Sequence, residues 1–109
     1  MSRLADLHCR PLSRGTPPLA VADVERLLAE LASDWRLVDG KRIAREWRFS
    51  DFSSALAFTI RIGLVAERED HHPDIGLAWG RVTVELWTHT VGGLSENDFV
   101  LAAKLDALG

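Results

Sequence analysis

The dipeptide Asp39-Gly40 sits between two runs, Trp35-Arg36-Leu37-Val38 and Arg42 to Phe49. Asp-Gly readily takes the positive backbone angles of a tight turn, so the stretch is predicted as an antiparallel hairpin. In the second run Ile43, Trp47 and Phe49 alternate with Arg42, Glu46 and Arg48, giving that strand one buried and one wet face. Arg45 falls on the apolar face, against the pattern. A second hairpin is expected from Ile75 to Trp79, a turn at Gly80-Arg81, and Val82 to Thr88. Val82, Val84 and Leu86 share one of its faces, while Thr83, Glu85, Trp87 and His89 share the other.

Each hairpin is preceded by helical periodicity. Val21, Val24, Leu27, Leu28 and Leu31 fall on one face of a helix predicted from Val21 to about Ala32, introduced by Thr16-Pro17-Pro18. Ser50 or Asp51 can cap a second helix running to about Glu69, with Phe52, Ala55, Leu56, Ile60, Gly63 and Leu64 as its inward stripe. Pro73 disfavours helical geometry at His72, so that helix must end before the histidine pair. Ser95 and Asp98 suit a capping box, with Leu94 able to staple against Phe99, for a last helix to about Leu108. Hairpins joined by helices predict an α+β, αββαββα two-layer sandwich: a four-stranded antiparallel sheet with helices packed on one face.

At 109 residues the chain is expected to form a single domain over 17–109, preceded by an irregular arm over 1–16. Its 47% hydrophobic and 27% charged content is globular, and a net charge of −3 with no basic stripe gives no footprint for nucleic acid. Cys9 is the only cysteine, so no intrachain disulfide can form. No apolar run is long enough for a membrane span or a secretory leader, and a cytoplasmic protein is expected.

The chemistry concentrates where elements end. The stretch Glu67-Arg68-Glu69-Asp70-His71-His72-Pro73 places two of the four histidines before the third strand, and His89 follows the fourth. Because these strands form a hairpin, the start of one lies beside the end of the other, so His71, His72 and His89 should gather at one rim. Imidazoles both give and take protons near neutral pH, which suits general acid–base catalysis. Each residue also has a plain structural reading: a hydrogen-bonded strand end for His89, a stiff turn for His71-His72-Pro73, a helix cap for Asp98. Three histidines and a carboxylate could instead hold zinc, but no His-x-x-x-His spacing is present, and adjacent histidines in an extended segment tend to point apart. Trp79 and Trp87 flank the proposed site, and His8, in the arm, is given no role.

The order His71-His72-Pro73, Trp79, Thr88-His89, Gly93-Leu94-Ser95 and Asp98 resembles the signature of the pterin-4a-carbinolamine dehydratases. The likeness extends through Trp35, Phe49 and Phe52 to about Gly15, with Trp79 at a position often held by tyrosine. It implies dimers that join sheets edge to edge, and often tetramers. It implies loss of water from a 4a-hydroxytetrahydropterin to give quinonoid dihydropterin, in tetrahydropterin recycling, with no metal or organic cofactor. His71 and His89 would lie near the leaving hydroxyl, with His72 the base candidate and Asp98 supporting a histidine. Glu67, Asp70, Trp87, Thr88 and Thr90 would line the pterin. Some members of the family instead serve as dimerisation cofactors of transcription factors or as RuBisCO assembly factors, so a protein partner is the alternative expectation.

Overall fold

The computed structural model describes residues 3–109. Three helices, α1 (Val21–Leu28), α2 (Phe52–Glu69) and α3 (Glu96–Asp106), accompany four strands, β1 (Arg36–Val38), β2 (Arg42–Arg48), β3 (Asp74–Ala78) and β4 (Arg81–Leu86). The strands form one antiparallel sheet in the order β1-β2-β4-β3. This is the expected α+β architecture. No helix among the described residues is long and apolar enough to cross a membrane.

The first turn forms as its residues dictate: Asp39 and Gly40 both have positive φ, and Lys41 N–H closes the turn on Val38 O at 3.0 Å. The second turn sits one residue earlier than expected. Ala78 pairs with Arg81, leaving Trp79-Gly80 as the loop, because Gly80 is the residue with positive φ (66°). Trp79 therefore projects from the turn end, 74% exposed, and does not flank the histidines as expected. Five residues of β3 separate it from the opposite rim, about 17 Å of extended chain.

The core face of the sheet carries Ile43 and Trp47 of β2 opposite Leu86 and Val82 of β4, all buried, and α3 adds Phe99, Val100, Leu101 and Leu105. Arg45, on this same face, is accounted for by a local network. Its guanidinium lies 4.5 Å from the Trp47 ring centroid and bridges Asp34 at 3.0 Å and Asp106. Asp106 also accepts from Trp35 Nε1 (2.7 Å) and Ala32 N–H (3.0 Å). The expected helix to Ala32 stops at Leu28: Glu30 and Leu31 N–H close tighter turns on Leu27 O and Leu28 O, and the Ala32 N–H goes to another element's carboxylate. Val21, counted above on the inward face of α1, is 72% exposed.

The inward stripe predicted for α2 is also corrected. Ala55 is buried, but the others that face the core are Phe58, Ile62, Val65 and Ala66. Phe52, Leu56, Ile60 and Leu64 are 41, 39, 55 and 61% exposed. The helix carries two adjacent apolar stripes, and a 3.6-residue period cannot say which one the sheet covers.

The arm is more ordered than expected. Arg3–Asp6 form a short 3-10 helix whose Leu4 is fully buried, while Met1 and Ser2 lie outside the described residues.

Candidate active site

Two local structures deliver the first histidine. Asp51 accepts the Ser54 N–H at 2.8 Å to start α2, and that bond holds its carboxyl below the usual range. At the far end Asp70 adopts the left-handed conformation (φ 51°), His71 N–H reaches Ala66 O, and Asp70 N–H reaches Glu67 O. These two bonds make a Schellman ending, which turns the chain sharply before Pro73 stiffens it. His71 is thereby directed inward, 13% exposed, and its Nε2 lies 2.6 Å from Asp98 Oδ1.

Asp98 is fully buried in the first turn of α3. Its Oδ2 accepts the Ser95 N–H at 3.0 Å, the carboxylate half of a capping box, and the Thr88 hydroxyl at 2.8 Å. Thr88 and Ser95 hydroxyls are themselves 2.7 Å apart. With three partners and a position at a helix N-terminus, the buried carboxylate is well compensated. An ionised carboxylate only accepts hydrogen bonds, so against it His71 Nε2 is the donor of this bond.

His72 does not share His71's partner. It is 58% exposed, with Nε2 2.5 Å from Glu67 Oε2. β4 ends at Leu86, not Thr88; Thr88 bridges to Gly93, and His89 opens a short 3-10 helix. His89 therefore does not continue the strand alternation. It packs instead on Trp87, ring centroids 4.6 Å apart, and Arg42 lies 4.8 Å from the Trp87 ring centroid.

A cleft of about 400 Å³ joins these pieces, lined by two segments, Asp70 to Asp74 and Trp87 to Thr90. The three histidines thus share one rim, with Asp98 behind His71. Glu67 reaches the cleft only through His72. A larger groove of about 580 Å³ lies between the arm, α2 and α3, but its single imidazole, His8, is engaged by Glu69 at 3.0 Å. The smaller cleft is the one that gathers three imidazoles. Among the described residues no cluster of three or more His, Cys, Asp or Glu is arranged to hold a metal ion.

The Thr88 and Ser95 hydroxyls behind Asp98, and the Arg42–Trp87–His89 stack, were not read as a unit from the sequence. The capping-box spacing of Ser95 and Asp98 was the available signal for the first; nothing local pairs Arg42 with Trp87.

A family model described as pterin 4 alpha carbinolamine dehydratase matches residues 17–108. The chain belongs to this family. A relative in Alkaliphilus metalliredigens, whose name assigns it provisionally as a pterin-4-alpha-carbinolamine dehydratase, is 45% identical over 97% of this chain and 96% of that protein. Another in Chlorobium limicola, named likewise, is 46% identical over 99% and 97%. A crystal structure from Brucella melitensis, described as a transcriptional coactivator/pterin dehydratase, matches with a TM-score of 0.77 at 38% identity, covering 84% of this chain and 97% of that one. A pterin dehydratase-like RuBisCO assembly factor of the alpha-carboxysome shares the fold, with a TM-score of 0.59 at 23% identity over 69% of this chain and 88% of that one.

Proposed function

We propose that this chain is a 4a-hydroxytetrahydropterin dehydratase, a hydro-lyase of tetrahydropterin recycling acting in the cytoplasm by histidine acid–base catalysis. The observation that carries the reading is the convergence of His71, His72 and His89 on one cleft, with a fully buried carboxylate bonded to the first. The reaction breaks the C4a–oxygen bond, forms a double bond into the ring system and removes one proton from a ring nitrogen. Hydroxide is a poor leaving group, so the departing oxygen must receive a proton. His71 and His89, which both line the cleft, are assigned to the hydroxyl; His72, exposed and held by Glu67, is assigned as the base. Asp98 stabilises the imidazolium form of His71, the form that can give its proton to the departing oxygen and end neutral. Asp70, Trp87, Thr88 and Thr90 line the substrate. Glu67 orients His72.

The exposed stripe Phe52, Leu56, Ile60 and Leu64 and the unpaired edges β1 and β3 support a homo-oligomer of this chain. Sedimentation of wild type beside Ile60→Glu and Leu64→Glu tests that assembly.

Catalysis is tested by stopped-flow dehydration of freshly generated 4a-hydroxytetrahydropterin with wild type, His71→Ala and His89→Ala. A large acceleration lost in both folded variants supports the assignment. Well-folded wild type without acceleration overturns it in favour of a non-catalytic binding role, as an assembly factor or dimerisation cofactor.

A further inference from the structure

The two segments that deliver His71 and Asp98 are joined a second time, outside the cleft, by the N-terminal arm. Glu69, two residues before His71, accepts the Cys9 N–H through Oε1 at 2.7 Å. Asn97, one residue before Asp98, accepts the Arg10 N–H at 2.9 Å and donates to the Arg10 carbonyl at 2.7 Å. The Cys9 thiol donates to the Asn97 carbonyl at 3.4 Å. Two consecutive arm residues therefore bind the neighbours of both partners in the 2.6 Å His71–Asp98 bond.

We propose that Cys9-Arg10 is a staple that fixes the separation of α2's end from α3's start, making Glu69 and Asn97 positioning residues for the His71–Asp98 pair. The inference rests on the dehydratase reading for its kinetic consequence, though not for its geometry.

The arm is itself well anchored for this task. Leu4 is fully buried, and Lys104 Nζ donates to the Ala5 carbonyl at 2.9 Å. Glu69 has an 8% exposed side chain, with His8 at 3.0 Å and Lys104 at 3.7 Å on Oε2, leaving Oε1 for Cys9. Burial, then the nearby Glu69 and Asp98 carboxylates, push the Cys9 thiol up to about 12, so it remains a proton donor at neutral pH. Between arm and helix end lies a small cavity lined by Cys9, Arg10, Pro11, Glu69 and Asp70, and Asp70 also lines the histidine cleft. The staple is thus one residue away from the wall of the site. Backbone groups of the arm make three of its four bonds, so the exact arm side chains matter little, apart from the anchors.

The test uses the full chain with Arg10→Pro, which deletes one N–H on an exposed segment and leaves Leu4 in place, and with Asn97→Ala. His8→Ala is the control, since it leaves the Cys9 and Arg10 bonds intact. Proton NMR follows the His71 Nε2–H resonance, which a short bond to carboxylate moves downfield and shields from exchange with water. Stopped-flow kinetics gives kcat and KM. The expected result in both variants is an upfield shift or exchange broadening of that resonance, and a kcat lowered about tenfold with KM within twofold, since sub-ångström misplacement acts on the chemical step. Folded variants with the wild-type resonance and kcat overturn the staple, as does a rise in KM alone, which would make the arm a substrate contact. Should Asn97→Ala fail to fold, Arg10→Pro decides. Inactive wild type with a shifted variant resonance defeats the dehydratase reading and leaves the staple standing.

Discussion

Replacing Asp98 by asparagine separates the structural from the chemical work of this carboxylate. Oδ2 receives two donors, the Ser95 N–H and the Thr88 hydroxyl, so the amide oxygen of the variant must occupy that side. The amide NH₂ then faces His71 Nε2, and the ring can pair with it only by moving its proton to Nδ1. The imidazolium, which carries protons on both nitrogens, loses its partner. Exchanging a charge-assisted bond for a neutral one costs about 1–2 kcal/mol of stability. With 109 residues, each kcal/mol is about 4 °C in Tm, so Asp98→Asn should melt roughly 4–8 °C lower. On the dehydratase reading proposed above, the kinetic loss should be far larger, because general acid–base catalysis contributes about 10²–10⁴-fold and the variant would disable one of its members. Calorimetry and stopped-flow dehydration on the same preparation give both numbers. A kcat within threefold of wild type would falsify the argument that His71 must carry charge. A collapse of Tm by more than about 15 °C would show that Asp98 is first a structural residue.

Asp106→Ala strands the Ala32 and Trp35 donors and leaves the Arg45 charge with Asp34 alone, so urea denaturation should report a loss of about 3 kcal/mol. Asp70 holds a left-handed angle at the helix end; Asp70→Gly should therefore keep or raise stability by up to ~1 kcal/mol, whereas Asp70→Val should lose about 1–2 kcal/mol, both read from Tm. Burial pushes the Glu69 carboxyl up, but the Cys9 N–H, His8 and Lys104 outweigh it and hold the group below its ordinary range. Its folded value lies below its unfolded value, so arm docking is fully stabilised above about pH 4.3 and lost as pH falls through the lower folded value. Hydrogen exchange at the Cys9 amide should stay protected down to that range; protection vanishing at neutral pH would contradict the contact.

Patterns confined to one element were legible in the sequence. Asp39-Gly40 specified its own turn, β2 buries Ile43 and Trp47 as its alternation implied though Ala44 is buried on the other face, and Pro73 barred α2 from running through His72, because turn chemistry and ring geometry act within a few residues. The hairpin alone sufficed to predict that His71, His72 and His89 meet at one rim. Where a residue's partner lay far along the chain, local reading failed. Arg45 looked misplaced until Asp106, 61 residues away, proved to be its counter-ion, and the same carboxylate takes the Ala32 N–H just past the end of α1. Two apolar stripes on α2 were equivalent by period, and only the sheet's position selected Phe58 and Ile62 over Ile60 and Leu64. His8 and the arm had no periodicity to read, yet Glu69 and Asn97 hold them against the helices 60 and 87 residues on. Turn preferences and periodicity are short-range steric and hydrophobic properties that a sequence carries openly. Charge pairing, capping across elements and the choice of buried face depend on which surfaces meet, and that was decided only when the sheet and helices packed.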